Sequence, residues 1–157
     1  MKNLSRTFNI SSGQTRIGVI VYSTNATLVF NLDQYSSISE IEAAIDNITY
    51  PGGATYTGQA LNGSTISLFN SNIVRANVSK VLVLITDGVS IDDVAESAAL
   101  LNNTGVTSFV VGIGNDYDRS QLIQIALGKE QHVFTADLNS LGDITGNIRE
   151  AICRGNW

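Results

Sequence analysis

The chain has 157 residues, of which 43% are hydrophobic and 15% charged, and its formal net charge is −5. This is the size of one domain with enough apolar content for a substantial core, which excludes a disordered segment. The acidic balance and the lack of any Lys/Arg run argue against nucleic acid or an anionic membrane as partner. No apolar stretch approaches the ~18 residues that membrane insertion needs.

In chain order, the residues up to about Phe8 read as the end of a helix. Arg16–Tyr22 (RIGVIVY) is a near-continuous apolar run, the pattern of a buried parallel strand. After a short Ser23–Asn25 turn, Ala26–Phe30 is expected to pair with it as an antiparallel edge strand. Ser37 followed by Glu40 is a capping box, and Ile41, Ala44, Ile45 and Ile48 then fall on one helical face. A second helix is predicted from about Tyr56 to Asn70, with Leu61, Thr65, Leu68 and Phe69 inward; Gly63 weakens it by up to ~1 kcal/mol relative to Ala. Lys80–Thr86 (KVLVLIT) is a second buried strand. A third helix starts after Ser90, uses Val94, Ala98 and Leu101, and stops before Gly105. Thr107–Gly112 is a third buried strand, and a helix from near Asp118 uses Leu122, Ile125 and Ala126. Gln131–Thr135 forms a short last strand, before a helix from Asn139 to about Cys153 on Leu141, Ile144, Ile148 and Ile152. Strands alternating with amphipathic helices predict an α/β, doubly wound, mostly parallel sheet with helices on both faces and one antiparallel edge strand, as a single domain over residues 1–157.

Seven Asn-x-Ser/Thr sequons occur, at Asn3, Asn9, Asn25, Asn47, Asn62, Asn77 and Asn102. Fifteen asparagines in a chain of this Ser and Thr content give roughly three by chance. The excess points to an extracellular, glycosylated protein. No apolar run of a secretory leader follows Met1-Lys2-Asn3, so the sequence is expected to begin downstream of its real start. The lone Cys153 is either a small buried or frayed thiol or half of a disulfide with a partner outside this sequence.

Sheets of this kind bind ligands outside the carboxyl ends of their strands. Asp87 stands there, directly after Thr86. The glycine-bearing loop Tyr50–Gly58 (YPGGATYTG) brings the hydroxyls of Thr55 and Thr57 to a helix start. A carboxylate with hydroxyls is a hard-oxygen set suited to Mg²⁺ or Mn²⁺, although a Thr-rich helix start also serves as a simple cap. Gly112-Ile113-Gly114 lacks the third glycine of a dinucleotide turn, and no Gly-Lys-Ser/Thr follows Gly52-Gly53. Asp92-Asp93 are expected to serve a helix N-terminus, and His132 to lie at the surface where a loop meets a strand.

The stretches TRIGVIVYSTNATLVFNLDQY, ITYPGGATYTGQAL, KVLVLITDGVSIDD, GVTSFVVGIGN and HVFTADLNSLGDITGNIREAIC follow one another in the order of a von Willebrand factor type A (VWA) domain, and together resemble that family over nearly the whole chain. The resemblance implies a Rossmann-like fold of the kind in integrin inserted domains, matrilins and collagen VI. It also implies a metal-ion-dependent adhesion site in which Thr55 and Asp87 are ligands. The family's Asp-x-Ser-x-Ser motif and the central strand before it are not in this sequence, so the resemblance implies an N-terminally incomplete domain whose partial site holds Mg²⁺ or Mn²⁺ with negligible affinity. Cys153 resembles the family's second cysteine, its partner lying upstream. The function so implied is an extracellular adhesion or matrix module, not an enzyme. In complete form it binds an acidic residue of a partner protein through a divalent cation. A metal-independent matrix-assembly module of the same fold is the alternative. An α/β hydrolase using Asp87 is less favoured, since no general acid/base pair stands at a recognisable spacing.

Overall fold

The computed structural model describes residues 1–69, 72–137, 140 and 142–155. Two sheets form: β1 (Val19–Tyr22) pairs antiparallel with β2 (Ala26–Phe30), while β3 (Lys80–Thr86), β4 (Val106–Ile113) and β5 (Val133–Ala136) form a parallel sheet in that order. Lys80 stands opposite Val106 and Thr86 opposite Gly112, so β3 and β4 are matched along their whole apolar runs.

Side-chain alternation gives the parallel sheet two greasy faces. Leu84, Val106 and Val110 pack on one side against α3 (Thr57–Ser64), α4 (Ala95–Asn103) and α5 (Arg119–Ile125) through Leu61, Leu101 and Leu122. Val111 and Ile113, joined by Val83 and Ile85, pack on the other against Ile148 and Ile152 of α6 (Ile144–Arg154) and Leu4 of α1 (Lys2–Ser5). Helices therefore cover both faces, as the alternating pattern predicts. The β1–β2 pair has its own core, where Val19, Phe30 and Ile41 meet Ala44, Ile45 and Ile48 of α2 (Ile38–Asp46). Phe30 meets Tyr35 edge to face with ring centroids 5.1 Å apart. Ion pairs of Lys2 with Asp46 and of Arg6 with Glu42 tie α1 to α2.

The first apolar run differs from expectation. Its regular strand begins only at Val19, where the register with β2 shifts between Val19 and Ile20; a Cβ on the preceding Gly18 would lie 2.7 Å from Leu68 Cδ2 and 3.2 Å from the Phe30 carbonyl oxygen. Nor does it join the parallel sheet: among the described residues no backbone hydrogen bond links β1 to β3. The two strands run the same way and end at one cleft, and Ile20 shares the core beneath α3 with Leu82 and Leu84. Among the described residues the Tyr22 hydroxyl is what bonds β1 to β3, donating to the Ile85 carbonyl at 3.5 Å.

Other boundaries shift for local reasons. The second helix passes from α3 into a wider π turn, Thr65–Phe69, with Leu68 and Phe69 buried as predicted; its expected last residue, Asn70, lies outside the described residues. The last strand starts at Val133 because Glu130–His132 forms a 3₁₀ turn. Helix α6 starts at Ile144, and Asn139 and Leu141 of its predicted start lie outside the described residues.

Candidate functional site

A cleft opens at the carboxyl ends of β1 and β3, lined by Tyr22, Ser23, the loop Tyr50–Thr55, Ile85, Thr86 and Asp87. The loop can lie there because Gly52 and Gly53 take left-handed backbone angles, φ +59° and +95°. A Cβ on Gly53 would stand 2.6 Å from Thr24 Oγ1. That hydroxyl instead accepts the Ala54 N–H at 3.2 Å, and the Tyr56 N–H donates to the Ser23 carbonyl at 3.0 Å, fastening the loop to the β1–β2 turn. The Asp87–Gly88 turn is closed by Thr86, whose hydroxyl donates to the Gly88 carbonyl at 3.2 Å.

The structure brings Thr55 and Asp87 together on this cleft. The Thr55 hydroxyl oxygen lies 3.3 Å from where a Cβ on Gly88 would be, so glycine leaves room for the hydroxyl against the Asp87 turn. Thr57 goes elsewhere: it is buried and does not line the cleft, its hydroxyl 3.5 Å from that of Tyr22. Chemically the lining offers hard oxygens, the right kind for Mg²⁺ or Mn²⁺. It offers one carboxylate, Asp87, and among the described residues no group of three or more His, Cys, Asp or Glu side chains stands close enough to hold an ion. Near-octahedral coordination needs more oxygen ligands than Thr55 and Asp87 supply. By themselves these residues do not fit a tightly held ion.

The loop after Asp87 is stitched to the loop carrying Thr55. The Ile91 N–H donates to the Thr55 carbonyl at 2.9 Å, and the Thr57 N–H to Ser90 Oγ at 3.0 Å. Gln121 of α5 holds Ser90 from behind: its Oε1 accepts the Ser90 N–H at 2.8 Å and its Nε2 donates to the Ser90 carbonyl at 3.0 Å. Asp93 serves the start of α4, accepting the Ala95 N–H at 2.8 Å. Asp92 serves a different helix, accepting from Gly58 and Gln59 of α3. Burial pushes its carboxyl up, but the Ser90 hydroxyl and the two backbone N–H groups outweigh that and hold it below the ordinary Asp range. Sequence reasoning assigned both carboxylates to a helix N-terminus and missed that Asp92 reaches across to α3. The glycine at position 58 was the one available signal.

His132 corrects the surface expectation. Only 4% of it is exposed; the ring stacks on Phe109 with centroids 4.3 Å apart, and Nδ1 lies 3.2 Å from the Ser108 carbonyl oxygen. All seven sequon asparagines (Asn3, Asn9, Asn25, Asn47, Asn62, Asn77 and Asn102) are exposed. Cys153 is an exposed free thiol on the last helix.

With this geometry in hand, comparison with known proteins gives the class. The sequence profile of the von Willebrand factor type A domain matches residues 1–147, and the chain belongs to that family. It is 37% identical over 153 residues to the collagen alpha-4(VI) chain of Mus musculus, covering 98% of this chain and 6% of that protein. It is 32% identical over 152 residues to vitrin of Bos taurus (96% and 23%), and 30% identical over 156 residues to matrilin-1 of Gallus gallus (98% and 31%). The chain thus spans less than a third of the length of each of these relatives. Among solved structures, proximal thread matrix protein 1 from the mussel byssus, described with a zinc-occupied MIDAS motif, superimposes with a TM-score of 0.89 at 31% identity, over 98% of this chain and 39% of that one. The manganese-loaded TRAP protein of Plasmodium vivax shares the fold, with a TM-score of 0.72 at 21% identity over 94% and 63%. The relatives are extracellular matrix proteins, and the chain is extracellular with them. No helix among the described residues is long and apolar enough to cross a membrane.

Proposed function

We propose that this chain is a matrix protein-binding module that grips an extracellular partner at the Thr55–Asp87 cleft. The observation that carries this reading is the meeting of a hydroxyl loop and an aspartate turn on one cleft at the carboxyl ends of β1 and β3, in a domain whose relatives are matrix proteins. In the complete site, a divalent cation supplies positive charge on which a partner's acidic side chain can close. Thr55 and Asp87 are this chain's contribution to holding it; further oxygen ligands must come from beyond these two. The metal-bearing matrix protein of the same fold supports the cation in kind.

The test is retention of the chain on an immobilised matrix extract, in Mn²⁺ and in EDTA, with Asp87→Ala alongside. With Mn²⁺ at several times ~1 mM, where a partner's acidic side chain can complete the shell of a weakly held ion, retention is expected, and it is expected to fall with EDTA and with Asp87→Ala. Titrated with Mn²⁺ alone, the chain is expected to bind no more tightly than about 1 mM. A second reading, a metal-independent assembly module, is favoured by the single carboxylate of the cleft. Retention indifferent to both EDTA and Asp87→Ala would establish it in place of the first.

A further inference from the structure

Asp92 follows Asp87 on the same loop but does not line the cleft. Its Oδ1 accepts the Gly58 N–H at 2.9 Å and its Oδ2 the Gln59 N–H at 2.8 Å, while the Ser90 hydroxyl donates to Oδ1 at 2.6 Å. The first turn of a helix leaves backbone donors without intrahelical partners, and α3 has no cap of its own, since Tyr56 at its N-cap position makes no side-chain bond to them. A carboxylate 34 positions further along the chain closes that turn instead, at the positive end of the helix dipole. With Thr57 bonded to Ser90, the N–H groups of Thr57, Gly58 and Gln59 all end on the Ser90–Asp92 segment.

The approach is as close as backbone allows. A Cβ on Gly58 would lie 2.2 Å from the Asp93 carbonyl oxygen and 2.8 Å from Asp92 Oδ2. On the other side of the same strap, the Ile91 N–H holds the Thr55 carbonyl at 2.9 Å. The two loops that carry Thr55 and Asp87 thus have their separation fixed by bonds lying behind the cleft.

We propose that Asp92 is a positioning residue for the cleft: by clamping the first turn of α3 to the loop after β3, it sets where the Thr55 hydroxyl stands against the Asp87–Gly88 turn. Its meaning for binding rests on the reading of the cleft given above, but the geometry it sets is measurable with no ion or partner present.

The experiment is NMR on the isotope-labelled full chain, reading the contact between the Thr55 side chain and the Gly88 α protons together with amide exchange. Asp92→Ala is expected to abolish that contact and to speed exchange of the Ile91 amide by about tenfold or more, while β4 amides keep their protection. Gly58→Ala, which forces the two loops apart sterically, is expected to do the same. If only the Gly58 and Gln59 amides exchange faster, and the Thr55–Gly88 contact and Ile91 protection persist, Asp92 is a helix cap and no more. Should Asp92→Ala lose β4 protection altogether, Asp92→Asn keeps the side-chain shape and one acceptor; wild-type strength of both signals in that variant overturns the proposal. Mn²⁺ at several times ~1 mM leaving the cleft resonances of the wild-type chain unperturbed would count against the functional reading and leave these contacts untouched.

Discussion

The ring of His132 lies between Phe109 and the Ser108 carbonyl, and this gives the molecule a dependence on pH. Burial, reinforced by the nearby charge of Lys129, lowers the pKa of the ring below its ordinary value, against the opposing pull of the Ser108 carbonyl. A base with a lowered folded pKa contributes its full stability where both states are neutral, above about pH 6.5. As the pH falls below that value, the unfolded chain takes up a proton that the folded ring refuses, so stability falls. The denaturant midpoint is therefore expected to drop between about pH 7.5 and pH 5.5, and the drop to shrink in His132→Gln. An unchanged slope in that variant would assign the dependence to other groups. At this scale the sequence carried part of the site. Thr55 and Asp87 sit in short stretches whose residue types announce a polar strand end. Asp92 and His132 did not show themselves, because the partners that define them lie at positions 58 and 108, far away along the chain.

Elements were readable where their determinants are local. In α2 the Ser37 hydroxyl accepts the Glu40 N–H, and the Glu40 carboxylate accepts the Ser37 N–H at 3.0 Å. Hydrogen bonds from the Ser37 hydroxyl first, and then from the Ser36 and Ser37 backbone, hold that carboxyl below the ordinary Glu range. Ser37→Ala is expected to lower stability by about 1 kcal/mol, read as a shift in denaturant midpoint with unchanged slope; a shift within error would mean that water satisfies the first turn equally well. Helix α4 shows the contrary case. Its pattern begins after Ser90, yet the helix starts at Ala95, because Ser90, Ile91 and Asp92 are committed to α3 and its loop. A tertiary demand on the segment overrode its local pattern, and periodicity alone carries no trace of such a demand.

At the scale of the whole molecule, the order of elements and the burial of β4 follow from the alternation of apolar runs and amphipathic helices. What that alternation does not contain is which strand edges meet. The runs at β1 and β3 read alike as buried parallel strands, yet among the described residues β1 pairs only with β2, and β3 has β4 on one side alone. Peptide groups alternate in direction along a strand. The Ile85 carbonyl points towards Tyr22, and the main-chain donors and acceptors of Val83 and Val81 therefore face the same way. Among the described residues no backbone bond outside β3–β4 answers these groups, and such a row is a template on which another polypeptide can be laid. The chain is thus expected to self-associate reversibly as its concentration rises, with a sedimentation-average mass climbing above that of a monomer. A single monomeric boundary throughout the concentration series would mean that helix packing alone keeps this rim shielded.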